Sequence, residues 1–316
     1  MKEAISFENK KKQRLDGFIH RVKGSGSNDP VDLVIFPNGG LMGCEGDFRA
    51  YIRISEYLVK HGFTVLRFNP SAIGTSEGSI ADCCQKNLFG MIETGLFADD
   101  IRSAINYVKM SFDYRSLTLT GICGGGISSI LAAVDLPDID CVIPIGCPVI
   151  IDGDEIDYNA RMSSNEAKFI FGTYAYKFFS IKAWLRLITF RSDTNVILEV
   201  LKNIIISFIK GKGSAGKKNQ SNDSGNSQIR MNYMFVSAIK KLLEDQKKIL
   251  FIYGDSDRFW WEFKDEFLNK YYDENSAPFD YYLVIDGNHM LTWCEMQYNA
   301  SEKIVDWLKK SLEKKC

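Results

Sequence analysis

The chain has 316 residues, 45% of them hydrophobic and 25% charged, the proportions of a globular protein rather than a disordered or collagen-like one. With 39 Lys and Arg against 40 Asp and Glu the formal net charge is −1, which argues against nucleic-acid binding driven by bulk electrostatics. No membrane span is expected, because the nearest approach to one, 196–209, contains Glu199, Lys202, Asn203 and Ser207. The opening MKEAISFENKKKQ carries charges where a signal peptide needs an apolar core, so a cytoplasmic location is expected.

Short apolar runs alternate with amphipathic stretches, the pattern of a mostly parallel sheet flanked by helices. The runs 4–7 and 17–20 read as an opening β-hairpin, and Val31 to Phe36 as a strand followed by the loop Pro37-Asn38-Gly39-Gly40. A helix is predicted over 48–60 with Tyr51, Ile54, Tyr57 and Leu58 on one face, then a strand at 64–68 and a helix at 96–110. The strand 117–120 runs directly into Gly121-Ile122-Cys123-Gly124-Gly125-Gly126 and a helix of small residues, 127–134. Strands at 141–145, 248–253 and 281–285 follow, and an amphipathic helix over 301–312 closes the chain. The alternation assigns 1–150 and 246–316 to one α/β core. Residues 151–245 break it: they are helical in period and rich in aromatics, and then run into a polar segment, 211–228, too poor in apolar residues to pack. This segment is expected to be an inserted helical cap with a mobile loop, placed where ligands bind at strand ends.

The turn at 121–125 has the form of a G-x-S-x-G nucleophile turn with cysteine in place of serine. A sharp strand-to-helix turn forces its central residue into strained φ/ψ, and flanking glycines remove side chains that would clash. The thiol then stands at a helix N-terminus, where unpaired N–H groups favour a thiolate. Thiol attack needs a base. Of three histidines, His20 on the hairpin and His61 at a helix end read as structural, while His289 lies just past the last predicted strand. An acidic partner is expected after the strand at 248–253, where Asp255 and Asp257 are both candidates; Asp257 has the better spacing and Asp255 is suited to binding turn amides.

The order nucleophile, acid, histidine resembles that of the α/β-hydrolase superfamily, and so does Leu66-Arg67-Phe68-Asn69 leading to Gly74-Thr75-Ser76-Glu77-Gly78. The turn with Cys123, the Trp184-containing cap and Asp257-Arg258-Phe259-Trp260-Trp261-Glu262-Phe263 are similar to cysteine-type members. These members include exosortase-associated hydrolases and the acyl or aminoacyl shuttling enzymes of carrier-protein pathways. The resemblance implies an α/β-hydrolase fold with an inserted helical cap, and a Cys123–His289–Asp257 triad. It further implies an oxyanion hole from the amides of Gly124 and Gly40, and substrate contacts at Trp184 and Trp260. Ser71-Ala72 and Asn38 depart from the usual Arg-Gly and His of the superfamily.

Other motifs are set aside. Ser76 sits in a literal G-x-S-x-G but lacks the small-residue helix after it, and 211–217 matches G-x-x-x-x-G-K without the strand a phosphate loop needs. The eight cysteines show no metal-type spacing, so neither metal nor cofactor is expected. The function these readings favour is an acyl-thioester hydrolase or acyltransferase acting through an acyl-cysteine. Its substrate would be an acyl thioester or ester, with a carrier protein as a candidate donor; the alternative is a non-catalytic ligand-binding protein on the same scaffold.

Overall fold

The structure, a computed structural model, describes residues 1–22, 30–39, 43–80, 85–134, 136–151 and 231–313. The chain falls into two compact units, Met1–Asp154 with Arg230–Cys316, and Glu155–Ile229. The second, with Trp184 and the polar segment 211–228, lies outside the described residues.

The first unit is built on one eight-stranded sheet. A hairpin of β1 (Lys2–Glu8) and β2 (Arg14–His20) opens it, in the register Phe7 opposite Leu15. Strands β3 (Val31–Pro37), β4 (Phe63–Phe68), β5 (Tyr114–Ile122), β6 (Cys141–Ile145), β7 (Lys248–Gly254) and β8 (Asp280–Val284) continue it. The order is β1-β2-β4-β3-β5-β6-β7-β8, with β2 antiparallel to β4 and every pair from β4 to β8 parallel. The order reverses at β3, so crossovers leave it in both directions.

Alternation along the strands divides the core into two layers. Leu33, Ile35, Leu119 and Phe251 face one cluster, formed with helices α3 (Ala98–Ser111), α4 (Gly124–Ala133) and α5 (Tyr233–Glu244), while Leu88 and Ile92 of α2 (Gln85–Glu93) form a small satellite cluster with Ile73 and Phe97. Val34, Phe36, Leu250 and Ile252 face the other, formed with α1 (Ala50–Lys60) and α7 (Cys294–Leu312). Between β7 and β8 a short helix, α6 (Arg258–Glu262), continues as a π-helical stretch, Phe263–Leu268. No helix among the described residues is long and apolar enough to cross a membrane.

Helix α5 lies within the segment that the sequence assigned to the insertion. Its buried residues Phe235, Val236, Ala238, Ile239 and Leu242 join the cluster of α4. Asn232 caps it, accepting from Phe235 N at 3.1 Å while its amide donates to the Glu93 carbonyl at 2.7 Å. Helical period alone could not separate α5 from the aromatic-rich stretch before it; the 3.6-residue stripe is the same whether a helix packs on the sheet or elsewhere. Helix α2 was not anticipated, and α7 begins seven residues before the predicted 301.

One cation is sunk in this core. Arg67 on β4 is fully buried; its Nε donates to His20 Nε2 at 2.9 Å and its Nη1 to the Cys44 carbonyl. Burial first, and then the Arg67 charge, push His20 down to about 4. The unfolded chain takes up this proton near pH 6.5 and the folded chain only near 4. The stabilisation is therefore complete above pH 6.5 and is lost as pH falls through that window, a change of up to about 3 kcal/mol. Urea midpoints measured between pH 7 and 4 are expected to fall with acid, and less steeply in His20→Gln, whose amide oxygen accepts from Arg67 without titrating.

Candidate active site

The site is assembled at the carboxyl ends of β5, β7 and β8. At the join of β5 and α4, Cys123 has φ 53° and ψ −119°, a conformation L-residues avoid unless the surroundings impose it. Its N–H donates to the Ile145 carbonyl at 2.8 Å, and its own carbonyl accepts from Gly126 N at 3.0 Å and Ile127 N at 3.2 Å. The backbone is thus paired on the strand side and already helical on the other. The turn closes so tightly that a Cβ on Gly121 would lie 2.5 Å from the Gly125 carbonyl carbon. Cys123 is half-buried, at the N-terminal end of a helix whose ten residues are all buried.

Asp257 follows β7 as the N-cap of α6. One carboxylate oxygen accepts from Phe259 N at 2.9 Å and the other lies 3.1 Å from His289 Nδ1. The carboxylate is 1% exposed and the imidazole 28%. His289 sits on the loop after β8, which is laced to the end of β7 by backbone bonds from Ser256 N to Gly287 O at 2.9 Å and from Asp255 N to Val284 O at 3.1 Å. Asp255 takes no part in the ion pair: its Oδ2 accepts from Asp286 N at 3.0 Å and ties down the same turn. The ring lies against Gly146, which has φ +55° and whose Cβ, were there one, would be 3.1 Å from Nδ1. Phe259 meets it edge to face at 4.6 Å.

Burial disfavours charge on this imidazole. The negative charge of a Cys123 thiolate, hydrogen bonds to Asp257 and Cys123, and the Asp257 carboxylate outweigh burial and hold His289 well above its ordinary range. The imidazole is thus paired with the Asp257 carboxylate at 3.1 Å and lies close enough to Cys123 to feel its charge.

The other expected site residues divide. Gly124 opens α4 beside Cys123, and Gly39 comes so close that a Cβ on it would lie 1.9 Å from Gly125 N. Gly40 and Trp184 lie outside the described residues. Trp260, expected to touch substrate, is instead 4% exposed and packs with Tyr253, Phe263 and Tyr281. The N-cap at Asp257 turns α6 so that Phe259, not Trp260, reaches the histidine. Ser76 is a loop tie, donating to Asn69 O at 2.7 Å and accepting from Asp16 N at 2.9 Å. His61 Nδ1 is 2.8 Å from the Tyr57 carbonyl at the end of α1. No group of three His, Cys, Asp or Glu among the described residues could hold a metal ion. Gly146 and Phe259 were not singled out from sequence; Gly146 follows the strand at 141–145, and its positive φ leaves no trace beyond its being glycine.

No protein-family model matches the chain, and neither does any curated protein sequence. Solved structures do match. An esterase from Pyrococcus furiosus is similar at a TM-score of 0.57 and 16% identity, over 99% of this chain and 93% of that one. The esterase domain of a Rhodothermus marinus protein is similar at 0.53 and 14%, over 98% and 99%. An alpha-beta serine hydrolase homologue from Coxiella burnetii is similar at 0.54 and 15%, over 97% of each chain. With the eight-stranded sheet and its strand order, these likenesses define the α/β-hydrolase fold.

The charge balance of the site is testable without a substrate. Replacing His289 with Ala is expected to slow alkylation of Cys123 by iodoacetamide at pH 7 by about tenfold, since the sulfur loses the neighbouring base that takes its proton. Peptide mass spectrometry that resolves Cys123 from the exposed Cys294 checks it.

Proposed function

We propose that the protein is an acyl-transferring hydrolase of the α/β-hydrolase fold whose nucleophile is Cys123, acting on acyl thioesters or esters. The observation that carries this reading is the His289–Asp257 pair at 3.1 Å, delivered at the carboxyl ends of the strands beside the strained strand-to-helix turn of Cys123. His289 takes the thiol proton, and Asp257 holds the imidazole in the tautomer with Nδ1–H and stabilises it once charged. The thiolate attacks the acyl carbonyl. The amide of Gly124 and an amide of the loop after β3, assigned from sequence to Gly40, receive the negative oxygen; losing one such donor costs about 3 to 4 kcal/mol of barrier. As the tetrahedral adduct collapses, the leaving group takes the proton back from the imidazolium, and the acyl group remains on sulfur.

The sulfur nucleophile supports transfer as well as hydrolysis. An acyl group moved from a thioester to a serine hydroxyl falls to an oxoester, whereas one moved to cysteine stays a thioester and keeps the free energy needed to pass to a thiol or an amine. A thioester donor, free or attached to a carrier protein, therefore suits this site, and the similarity to esterases supports acyl chemistry in general.

Incubation with acetyl and longer acyl thioesters and with p-nitrophenyl acetate is expected to add one acyl mass to the intact protein, located on Cys123. Cys123→Ala is expected to form no adduct and to lose essentially all turnover. Absence of any adduct together with undiminished turnover in Cys123→Ala would overturn the proposal. Faster turnover on adding an amine or a carrier thiol marks a transferase; release of free acid at a rate no acceptor changes marks a hydrolase.

A further inference from the structure

The parallel pairing of β3 with β5 stops at Ile35 opposite Leu119, although β3 runs on to Pro37 and β5 to Ile122. The end of β3 stays with its other neighbour instead: Pro37 remains paired with Phe68, and Asn38 N donates to the Phe68 carbonyl at 3.1 Å. Two backbone groups at the ends of these strands thereby lose their ladder partners, the N–H of Ile122 and the carbonyl of Pro37. Each is buried, and a buried backbone group left unpaired costs about 1 to 3 kcal/mol.

A single side chain answers both. Tyr51, on the first turn of α1 and 2% exposed, accepts from Ile122 N at 3.0 Å and donates from its hydroxyl to Pro37 O at 3.3 Å. Its ring is fixed by Phe36, centroid to centroid at 5.0 Å, and by Gly46, where a Cβ would fall 2.9 Å from the ring. Burial pushes the phenol far above its ordinary range, so it stays a neutral donor. The residue it holds on one side directly precedes Cys123. On the other side it holds the strand end that feeds the loop of Gly39, which lies against Gly124 and Gly125.

We propose that Tyr51 is a positioning residue that sets the spacing between the Cys123 turn and the strand end leading to Gly39, and hence the placement of the Gly124 amide that receives the developing oxyanion. This inference rests on the acyl-enzyme reading above. The hydroxyl also gives a reason for glycine at 125: a Cβ there would sit 2.8 Å from the phenol oxygen and 2.6 Å from Pro37 O.

Tyr51→Phe keeps the ring and removes the bridge. The test compares two reactions of the same sulfur. Acylation by a thioester builds charge on a carbonyl oxygen and needs a placed amide to receive it; alkylation by iodoacetamide displaces iodide and builds no such oxyanion. Tyr51→Phe is expected to lower kcat and the single-turnover acylation rate at least tenfold, with KM changed less than twofold and Cys123 alkylation within twofold of wild type. Near-ultraviolet circular dichroism of the same sample checks that the fold is intact. If Tyr51→Phe yields no soluble protein, Phe36→Leu, which removes the ring that fixes Tyr51, is expected to give the same split. Equal acylation in variant and wild type overturns this inference alone, and so does a fall in both reactions together, which marks general loosening of the turn. Failure of the wild type itself to acylate overturns the underlying reading instead.

Discussion

The backbone of Cys123 is the point on which the rest of the site depends. Holding a non-glycine residue at φ 53° and ψ −119° costs on the order of 1 to 3 kcal/mol and persists only if neighbours over-determine it. The sheet contributes through Ile145, which accepts the Cys123 N–H, and the helix through the amides of Gly126 and Ile127. The residue before the cysteine is held as well, by the Tyr51 hydroxyl. Each partner belongs to an element whose position is set by the core: β6, α4 and α1 are anchored in the two apolar clusters on either face of the sheet. Strain at one residue is thus sustained by burial spread over many.

A second feature is the division of labour between two carboxylates that differ by two positions. Asp257 is nearly inaccessible and shares its oxygens between the Phe259 amide and the His289 ring; Asp255 points the other way and fastens the Asp286 amide. One aspartate orients the imidazole directly while the other shapes the loop that delivers it. Both were visible in the sequence as candidates, with spacing favouring Asp257 and Asp255 suited to turn amides, and in the structure the two carboxylates leave the end of β7 toward different partners.

Much of this was legible beforehand because it rests on local rules. The strand-to-helix turn is written in glycines at 121, 124 and 125, the core strands in runs of branched and aromatic residues, and the single histidine past the last strand is picked out by elimination. What escaped depends on tertiary neighbours. Trp260 and Phe259 are adjacent aromatics, and which one turns into the core is decided by how α6 is capped rather than by residue type. Helix α5 has the same periodicity as the stretch before it, so its place against α4 could not be read. The Tyr51 ring was correctly placed on the inner face of its helix, but no pattern in a sequence reports that a hydroxyl closes a gap between diverging strands 71 and 14 residues away.

The point where the chain departs from the core and returns has a further consequence. Ile150 and Met231 form an antiparallel bridge, and Asn232 N donates to the Val149 carbonyl at 2.9 Å. Exit and re-entry are therefore stitched together, and the sheet is complete whatever lies between them. Closing a longer chain across a fixed gap costs only a logarithmic increment, about 0.6 kcal/mol for each doubling. A change in the length of the intervening stretch accordingly leaves the strand order of the sheet unaltered at little cost in free energy.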